Sequence, residues 1–560
     1  MTSPNIPADG ASPPSALRDW LLPAAIITLG LALRFRRFDY FLVPDTDFWD
    51  FRAVGVAMVH GQAPPHYQRL PLYSLLMGAL APLFHGRDPV LLAAESVNLA
   101  GFALGTFFLY RLAQRFLGSA AWVVAFVFAT DGLGVHMTLQ PRAELTTVAL
   151  VILGCYLATR ASVASYVAAA LASFTRWEGA FLIPALFIRD LVYGSRRWRA
   201  FALSAAASLP LVTWLWLNFL NTAHLNPYFE YSGAATTGAG GNFLGVLART
   251  CLGSVGLAPE GRAFGLAFVL LAALIIGGLI RLWRTSPRDA LPIVAFFGLT
   301  LGLNLVFFSA TAEHAFMIVW VCQLAVVAAL LKIGRLARSL VSLPTATGSP
   351  WAIRAVLGAG VVLALALLLW SARRRGATIP TEPLAMSVVA IGAILATIRP
   401  RSIPAAVLLA VVIAAVPAAA QRDIQAVNDR LRAVAFVKGE LRRAGEWFAA
   451  HAGPHERMAV VEPWVVAAYA APRSMADLVD TRDLAVQSPD QLAADLRRLG
   501  ADYVVWNSQH GNLESTNYYF RKYRIDLLRQ LGDGRSTPDF EVLDTLRAGP
   551  TYAYVYRVRR

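Results

Sequence analysis

The chain has 560 residues, 57% of them hydrophobic and 15% charged, with a net charge of +15 that comes almost entirely from arginine. A soluble protein of this size carries roughly 25% charged residues, so the composition excludes an ordinary soluble globule. Three scattered cysteines, Cys155, Cys251 and Cys322, all in or beside apolar segments, exclude a disulfide framework and a zinc-binding spacing. The basic balance is better explained by loop arginines facing anionic lipid headgroups than by nucleic acid.

Residues 1–18 are rich in Pro, Ser and Ala and read as a disordered cytoplasmic N-terminus. They lack the charged region ahead of a short apolar core that a cleaved signal peptide needs, so the first span serves as its own anchor. That span covers about 20–35. It is followed by an external loop, 36–87, that opens with the densest acidic cluster of the chain, Asp45, Asp47 and Asp50. Asp45, Thr46 or Asp47 can cap a helix over 48–60, which sets Phe48, Phe51 and Val54 on one side and ends at Gly61. Such a helix suits the bilayer surface. A carboxylate held at its start is also placed to act as a general base. Arg69, two residues before Pro71, supplies the permanently charged fork that a phosphate needs. The segment 71–86 is apolar but about 16 residues long and bracketed by prolines, so it fits a crossing, a re-entrant or an interfacial element.

Apolar runs then recur at 88–110, 119–138, 143–159, 163–175, 177–192, 200–220, 263–283, 289–309, 314–331, 352–370, 384–398 and 403–420, giving thirteen spans with the first. The runs at 163–175 and 177–192 are short and joined by "TRWEG", as two half-length helices would be. The long Gly-rich loop 221–262, with Tyr228, Tyr231 and Arg249, suits a lid or substrate clamp. If 71–86 does not cross, fifteen Lys and Arg from Arg111 to Arg401 fall on the cytoplasmic side and seven outside. The excess agrees with the positive-inside rule. The three-arginine run 373–375 runs against it. Residues 19–420 are thus a transmembrane module.

From 421 to 560 the chain turns polar and reads as a soluble extracytoplasmic α/β domain. "DRLRAVAFVKGELRRAGEWFAAHA" has helical period, "RMAVVE" and "ADYVVWN" read as buried strands, "PDQLAADLRRLG" as a helix ending at Gly500, and "DFEVLDTLRAGPTYAYVYRVRR" as a hairpin turning at "AGP".

The stretch "PDTDFWDFRAVGVAMVHGQAPPHYQRLPLYSLLMGALAPLF" resembles the first external loop of the GT-C superfamily of membrane glycosyltransferases. These include protein O-mannosyltransferases, lipid A aminoarabinose transferases and polyprenol-phosphate-mannose-dependent mannosyltransferases. Asp47, fourteen residues before Gly61, matches the spacing of the family aspartate best, with Asp45 second. "QRLPLY" is similar to the family's basic-Pro-Pro-Leu-Tyr, with Leu70 in place of one proline. "QPRAELTTVALVILGCYLATR" and "ASFTRWEGAFLIPALF" are similar to two further family segments, with Glu144 and with Arg176 and Glu178. Where the family often has an Arg-Tyr pair, this chain has Glu313 and His314.

The resemblance implies a helical polytopic membrane fold with an extracytoplasmic site and a C-terminal extracytoplasmic domain, in the cell membrane. It implies transfer of a sugar from a polyprenyl-phosphate donor to a glycan, lipid or protein acceptor, with inversion. Asp47 or Asp45 is then the base, and Arg69 and Arg176 hold the donor phosphate. Glu144, Glu178, Arg142, Tyr228 and His314 are candidate substrate contacts. Arg142 and Glu144 equally suit ion pairs with neighbouring helices, and Asp131 and His136 suit the membrane boundary. Arg176 and Glu178, two apart, cannot share a helix face, so one would face the cavity and the other pair elsewhere.

The residues single out no certain cofactor. "Asp45-Thr46-Asp47" also spells the cation-holding Asp-x-Asp of soluble nucleotide-sugar transferases, which leaves a divalent cation as the alternative. A transporter or flippase is the rival reading, but the sequence has no internal repeat and its acidic residues gather at one face.

Overall fold

Hydrocarbon offers backbone N–H and C=O groups no partner, so an apolar chain must satisfy them within its own helices. A computed structural model describes residues 16–35, 46–64, 67, 69–85, 89–139, 141–222, 240–255, 257, 260–306, 312–340, 355, 391, 394, 438–512, 520, 523–549 and 551–560. Up to residue 340 they form α1 (Ala16–Phe35), α2 (Thr46–Val59), α3 (Pro71–Leu80), α4 (Pro89–Leu117), α5 (Ala121–Thr130), α6 (Gly132–Leu139), α7 (Glu144–Thr159), α8 (Ala164–Ser173), α9 (Leu182–Tyr193), α10 (Arg197–Thr222), α11 (Gly240–Gly253), α12 (Gly261–Thr285), α13 (Pro287–Val306) and α14 (Ala312–Leu340). The described residues divide into two units. One draws on 1–38, 64–77 and 93–425, the other on 39–63, 78–92 and 426–560.

Among the described residues, five helical stretches are long and apolar enough to cross a membrane: Pro89–Thr130, Arg197–Asn221, Gly261–Thr285, Pro287–Val306 and Ala312–Ile333. Only 17% of the most apolar window of α10 and of α12 is buried, and Leu209, Leu266 and Val269 are more than 60% exposed. A water-soluble protein would not leave such faces uncovered; lipid is their natural solvent. α5 and α14 sit at the centre instead, with Phe126, Phe316, Trp320 and Leu324 fully buried. The expected half-length pair is present as α8 and α9. α3 rises only ~15 Å over its ten residues, half of a ~30 Å hydrocarbon core. The spans expected at 352–370, 384–398 and 403–420 lie outside the described residues, apart from isolated positions.

Two expectations are corrected. The Gly-rich loop 221–262 contains a helix, α11, because Phe243, Leu247 and Cys251 recur at every fourth residue and bury one face. Arg249 lies over the Phe264 ring, 4.9 Å from its centroid. In the second unit, α2 does not spread its aromatic side on the bilayer. Phe48, Trp49, Phe51 and Val54 are at most 4% exposed, and Trp49 meets Tyr469 of the C-terminal region edge-on at 6.1 Å. Gly78 of α3 approaches α2 so closely that a Cβ there would stand 2.7 Å from the Gly55 carbonyl oxygen.

The rest of the second unit is a five-stranded mixed sheet of β1 (Met458–Val460), β2 (Leu478–Asp480), β3 (Tyr503–Asn507), β4 (Phe540–Ala548) and β5 (Thr551–Val558) in the order β2-β1-β3-β5-β4. β1 is parallel to β2 and β3, and β5 is antiparallel to β3 and β4. The two sequence-read strands, the hairpin and the helix before Gly500 (α17, Leu492–Arg498) are all present, as are α15 (Gly439–His451) and α16 (Pro463–Tyr469). Gly500 and Gly549 adopt φ of +73° and +62°, which end the helix and turn the hairpin. Ala459, Val504, Leu496, Leu528 and Tyr556 form its core.

A buried polar chain lies inside this core. Asn507 donates to Glu440 Oε1 at 3.2 Å and, from the same amide nitrogen, to Nδ1 of His510 at 2.7 Å. Burial, and then the Lys438 charge, push the His510 imidazole down to about 3. The unfolded imidazole titrates near ~6.5. As pH falls below that value the unfolded chain takes up a proton the native state refuses, so His510 contributes stability that is lost toward pH 3. Burial pushes the Glu440 carboxyl upward and acts in the opposite sense. Hydrogen-exchange protection of β3 in the full chain should therefore fall between about pH 7 and pH 5, and the fall should flatten in His510→Gln; an identical fall in both proteins rejects the assignment.

Candidate active site

Six polar residues of the first unit that the sequence singled out, Arg142, Glu144, Arg176, Glu178, Glu313 and His314, converge at one end of α7. α7 starts at Glu144, α8 ends at Ser173, and the "TRWEG" segment follows. Phe174 and Thr175 close α8, with the Thr175 hydroxyl donating to Ala172 O at 2.6 Å and accepting from Thr147 at 2.9 Å. Arg176 is extended, with φ −149° and ψ 153°, and Trp177–Phe181 forms a short 3-10 turn. Gly179 permits that turn, because a Cβ there would lie 2.2 Å from the Ala172 carbonyl oxygen.

This backbone changes the expected relation of Arg176 and Glu178. Two residues apart on an α-helix they would diverge; across an extended residue and a 3-10 turn they meet. Arg176 makes a forked pair with Glu178, Nε to Oε2 at 3.1 Å and Nη2 to Oε1 at 3.0 Å. Its Nη1 reaches Glu144 Oε1 on α7. Glu178 Oε1 also accepts from His314 Nδ1 of α14 at 2.7 Å. Arg142, just before α7, pairs with Glu313 of α14. Glu144 and Glu178 are 1% exposed. The network thus ties α7, the segment after α8 and the start of α14. Two guanidinium groups stand against three carboxylates, and Arg176 in particular is already held by two of them.

Arg142, Glu144, Arg176, Glu178 and His314 are therefore brought together. Asp47 lies in the first turn of α2, half-buried, in the second unit. Arg69 lies half-buried before α3, in the first. Asp45, Tyr228 and Tyr231 are outside the described residues. Asp131 caps α6, accepting from Leu133 N at 3.0 Å. No group of three or more potential metal-ligating side chains occurs among the described residues.

The sequence did not single out Arg34. It is fully buried near the end of α1, donating to Thr138 Oγ1 at 2.9 Å and to the carbonyls of Gly30 and Ala129 at 2.9 and 2.8 Å. Its guanidinium lies 3.5 Å from the Phe102 ring centroid. An arginine at the edge of an apolar run is the one signal that marked it.

No family model matches the sequence, and no curated protein matches it significantly. Solved structures do. ArnT from Cupriavidus metallidurans bound to undecaprenyl phosphate superposes with a TM-score of 0.54 and 14% identity, covering 97% of this chain and 98% of that one. Its apo state gives 0.53 and 16% over the same shares. The Archaeoglobus fulgidus oligosaccharyltransferase tethered with an acceptor peptide gives 0.49 and 11%, over 96% of this chain and 74% of its own. At this identity the ArnT likeness shows the fold. The chain is a polytopic helical membrane protein with the GT-C fold and a small C-terminal sheet domain.

Removing one partner of a buried ion pair leaves the other uncompensated and costs about 3–5 kcal/mol. Arg176→Met should therefore lower the thermal unfolding midpoint of the detergent-solubilised protein sharply. Arg176→Met with Glu178→Gln should restore part of the loss. A double variant no more stable than the single would show that the pair is not the source.

Proposed function

We propose that the protein is a membrane glycosyltransferase that moves a sugar from a polyprenyl-phosphate donor to an extracytoplasmic glycan, lipid or protein acceptor. The reading is carried by the GT-C fold, which matches ArnT over nearly the whole of both chains, in a sequence whose first loop resembles the family's in Asp47 and in Arg69, two residues before Pro71. The ArnT structure holds undecaprenyl phosphate. No divalent cation is required in this reading.

Asp47 is the proposed general base, with Asp45 as its rival or helper. The base takes the proton of an acceptor hydroxyl, the freed oxygen attacks the anomeric carbon, and the bond from that carbon to the phosphate oxygen breaks with its electron pair on the phosphate. A single displacement inverts the anomeric centre. Arg69 is the proposed cation for the departing phosphate, whose charge it offsets so that the leaving group needs no acid.

The sequence reading gave Arg176 the same task. Its forked contact with Glu178 favours a positioning role, in which it fixes Glu144 and Glu178 as acceptors for sugar or acceptor hydroxyls. Glu144 Oε2 is buried and has no hydrogen-bond partner among the described residues, which suits such a contact. Arg142 and His314 hold that frame to α14.

Membranes containing the full chain, given radiolabelled polyprenyl-phosphate sugars, should transfer label to acceptor. Asp47→Asn should reduce the rate by about 10²–10⁴, the range for loss of a general base, without changing expression. Unimpaired transfer in both Asp47→Asn and Asp45→Asn would remove the base assignment. A wild type that consumes no lipid-linked sugar would remove the enzyme class.

A further inference from the structure

The other end of the first unit carries a second polar construction. α7 runs ~24 Å from Glu144 to Thr159, so its far end is well separated from the carboxylate network. There a cavity of about 590 Å³ is lined by Arg189, Arg196, Arg199, Arg288, Asp190 and Tyr166, among others. The chain enters three helices at its walls. Ser162 and Val163 lead into α8, Ser195 and Arg196 into α10, and Arg288 is the second residue of α13. Helix N-termini carry free N–H groups and partial positive charge. Arginines at such ends oppose the helix dipole, so Arg196, Arg199 and Arg288 stand where an isolated helix would least favour them.

Arg189 separates a built site from ordinary loop charge. An arginine that merely snorkels keeps its head in water. Arg189, on α9 one turn before its C-terminal end, is 3% exposed. Its Nη1 reaches Asp190 Oδ1 at 3.1 Å, and Asp190 Oδ2 accepts from Tyr166 at 3.1 Å. Its Nε is buried and has no hydrogen-bond partner among the described residues. Four guanidinium groups face one carboxylate in the lining, a surplus of three positive charges. Trp198 beside it is 82% exposed and Tyr193 39%, the amphipathic aromatics that settle at a membrane–water boundary.

We propose that this cavity binds a phosphate-bearing ligand at the membrane face opposite the carboxylate network, with Arg189 as the buried anchor and Arg196, Arg199 and Arg288 as its outer cations. The phosphate is either that of an anionic lipid headgroup or a soluble one. Both satisfy the same fork geometry and the same converging helix ends. The site is independent of the glycosyl-transfer reading.

Native mass spectrometry of the full chain released from nanodiscs of mixed phosphatidylglycerol and phosphatidylcholine tests it. The wild type should retain phosphatidylglycerol in preference. Arg196→Ala and Arg199→Ala should weaken retention about fivefold each, the loss expected per basic residue. Arg111→Ala with Arg115→Ala, the same charge change in α4, should leave retention unchanged. Arg189→Met tests the anchor, and the exposed pair decides the matter should that variant not fold.

Inorganic phosphate, added to detergent-purified protein while its intrinsic tryptophan fluorescence is read against a Trp198→Phe control, separates the sources. A saturable change that the Arg196→Ala, Arg199→Ala protein loses assigns a soluble phosphate; lipid selectivity without it assigns the headgroup. Equal retention of both lipids together with no fluorescence response overturns the proposal, as does an equal effect of the α4 pair.

Discussion

A charge in an apolar bundle has to be answered by another charge, and Arg176 between Glu144 and Glu178 is that answer here. An ionised side chain at the centre of a membrane helix costs about 2.5–3.5 kcal/mol even on permissive scales. The penalty is met because the fork of Arg176 uses three donors on two carboxylates, and His314 satisfies a further lone pair of Glu178. Each bond joins a different piece of the bundle. Glu144 starts α7, Glu178 follows α8, and His314 starts α14. The network therefore acts as a clamp on three helix ends, and it can form only because Gly179 lets the turn press against α8. Such a clamp fixes two buried carboxylates in one orientation, which is what a site for sugar hydroxyls requires.

The same bundle organises charge differently at its two ends. At the Glu144 end, carboxylates outnumber guanidinium groups; at the Arg189 end the balance reverses. Antiparallel packing of α7 and α8 makes the difference structural. The end at which α8 finishes is closed by its own carbonyls, Thr175 and the pairs of Arg176. The end at which α8, α10 and α13 begin presents N–H groups. The polarity of the helices and that of the side chains thus reinforce each other at the Arg189 end.

Much of the fold was legible because it is written in period and length. Apolar runs located α1, α4, α7, α10, α12, α13 and α14, short apolar runs located β1 and β3, and the turn at "AGP" located the hairpin of β4 and β5. What escaped has a physical reason in each case. α11 was hidden by glycines at 240, 241, 245 and 253, which read as loop until its buried face of Phe243, Leu247 and Cys251 packs. α2 was read as a bilayer-surface helix because amphipathicity reveals that a face is buried but not against what; Tyr469 is more than four hundred residues away in sequence. β2 is three residues long, too short to carry a period.

The site was legible as a list of residues and not as a geometry. "TRWEG" and the Glu144 segment were singled out, yet their pairing depended on a local backbone choice. The rule that residues two apart diverge holds on an α-helix, and here the chain leaves the α-helix between Phe174 and Leu182. That departure turns Arg176 from an available phosphate ligand into the centre of a carboxylate clamp. The consequence for mechanism is direct. In the proposed reading Arg176 therefore serves position rather than phosphate, and the phosphate is assigned to Arg69, set before the first proline of α3, on its sequence context alone.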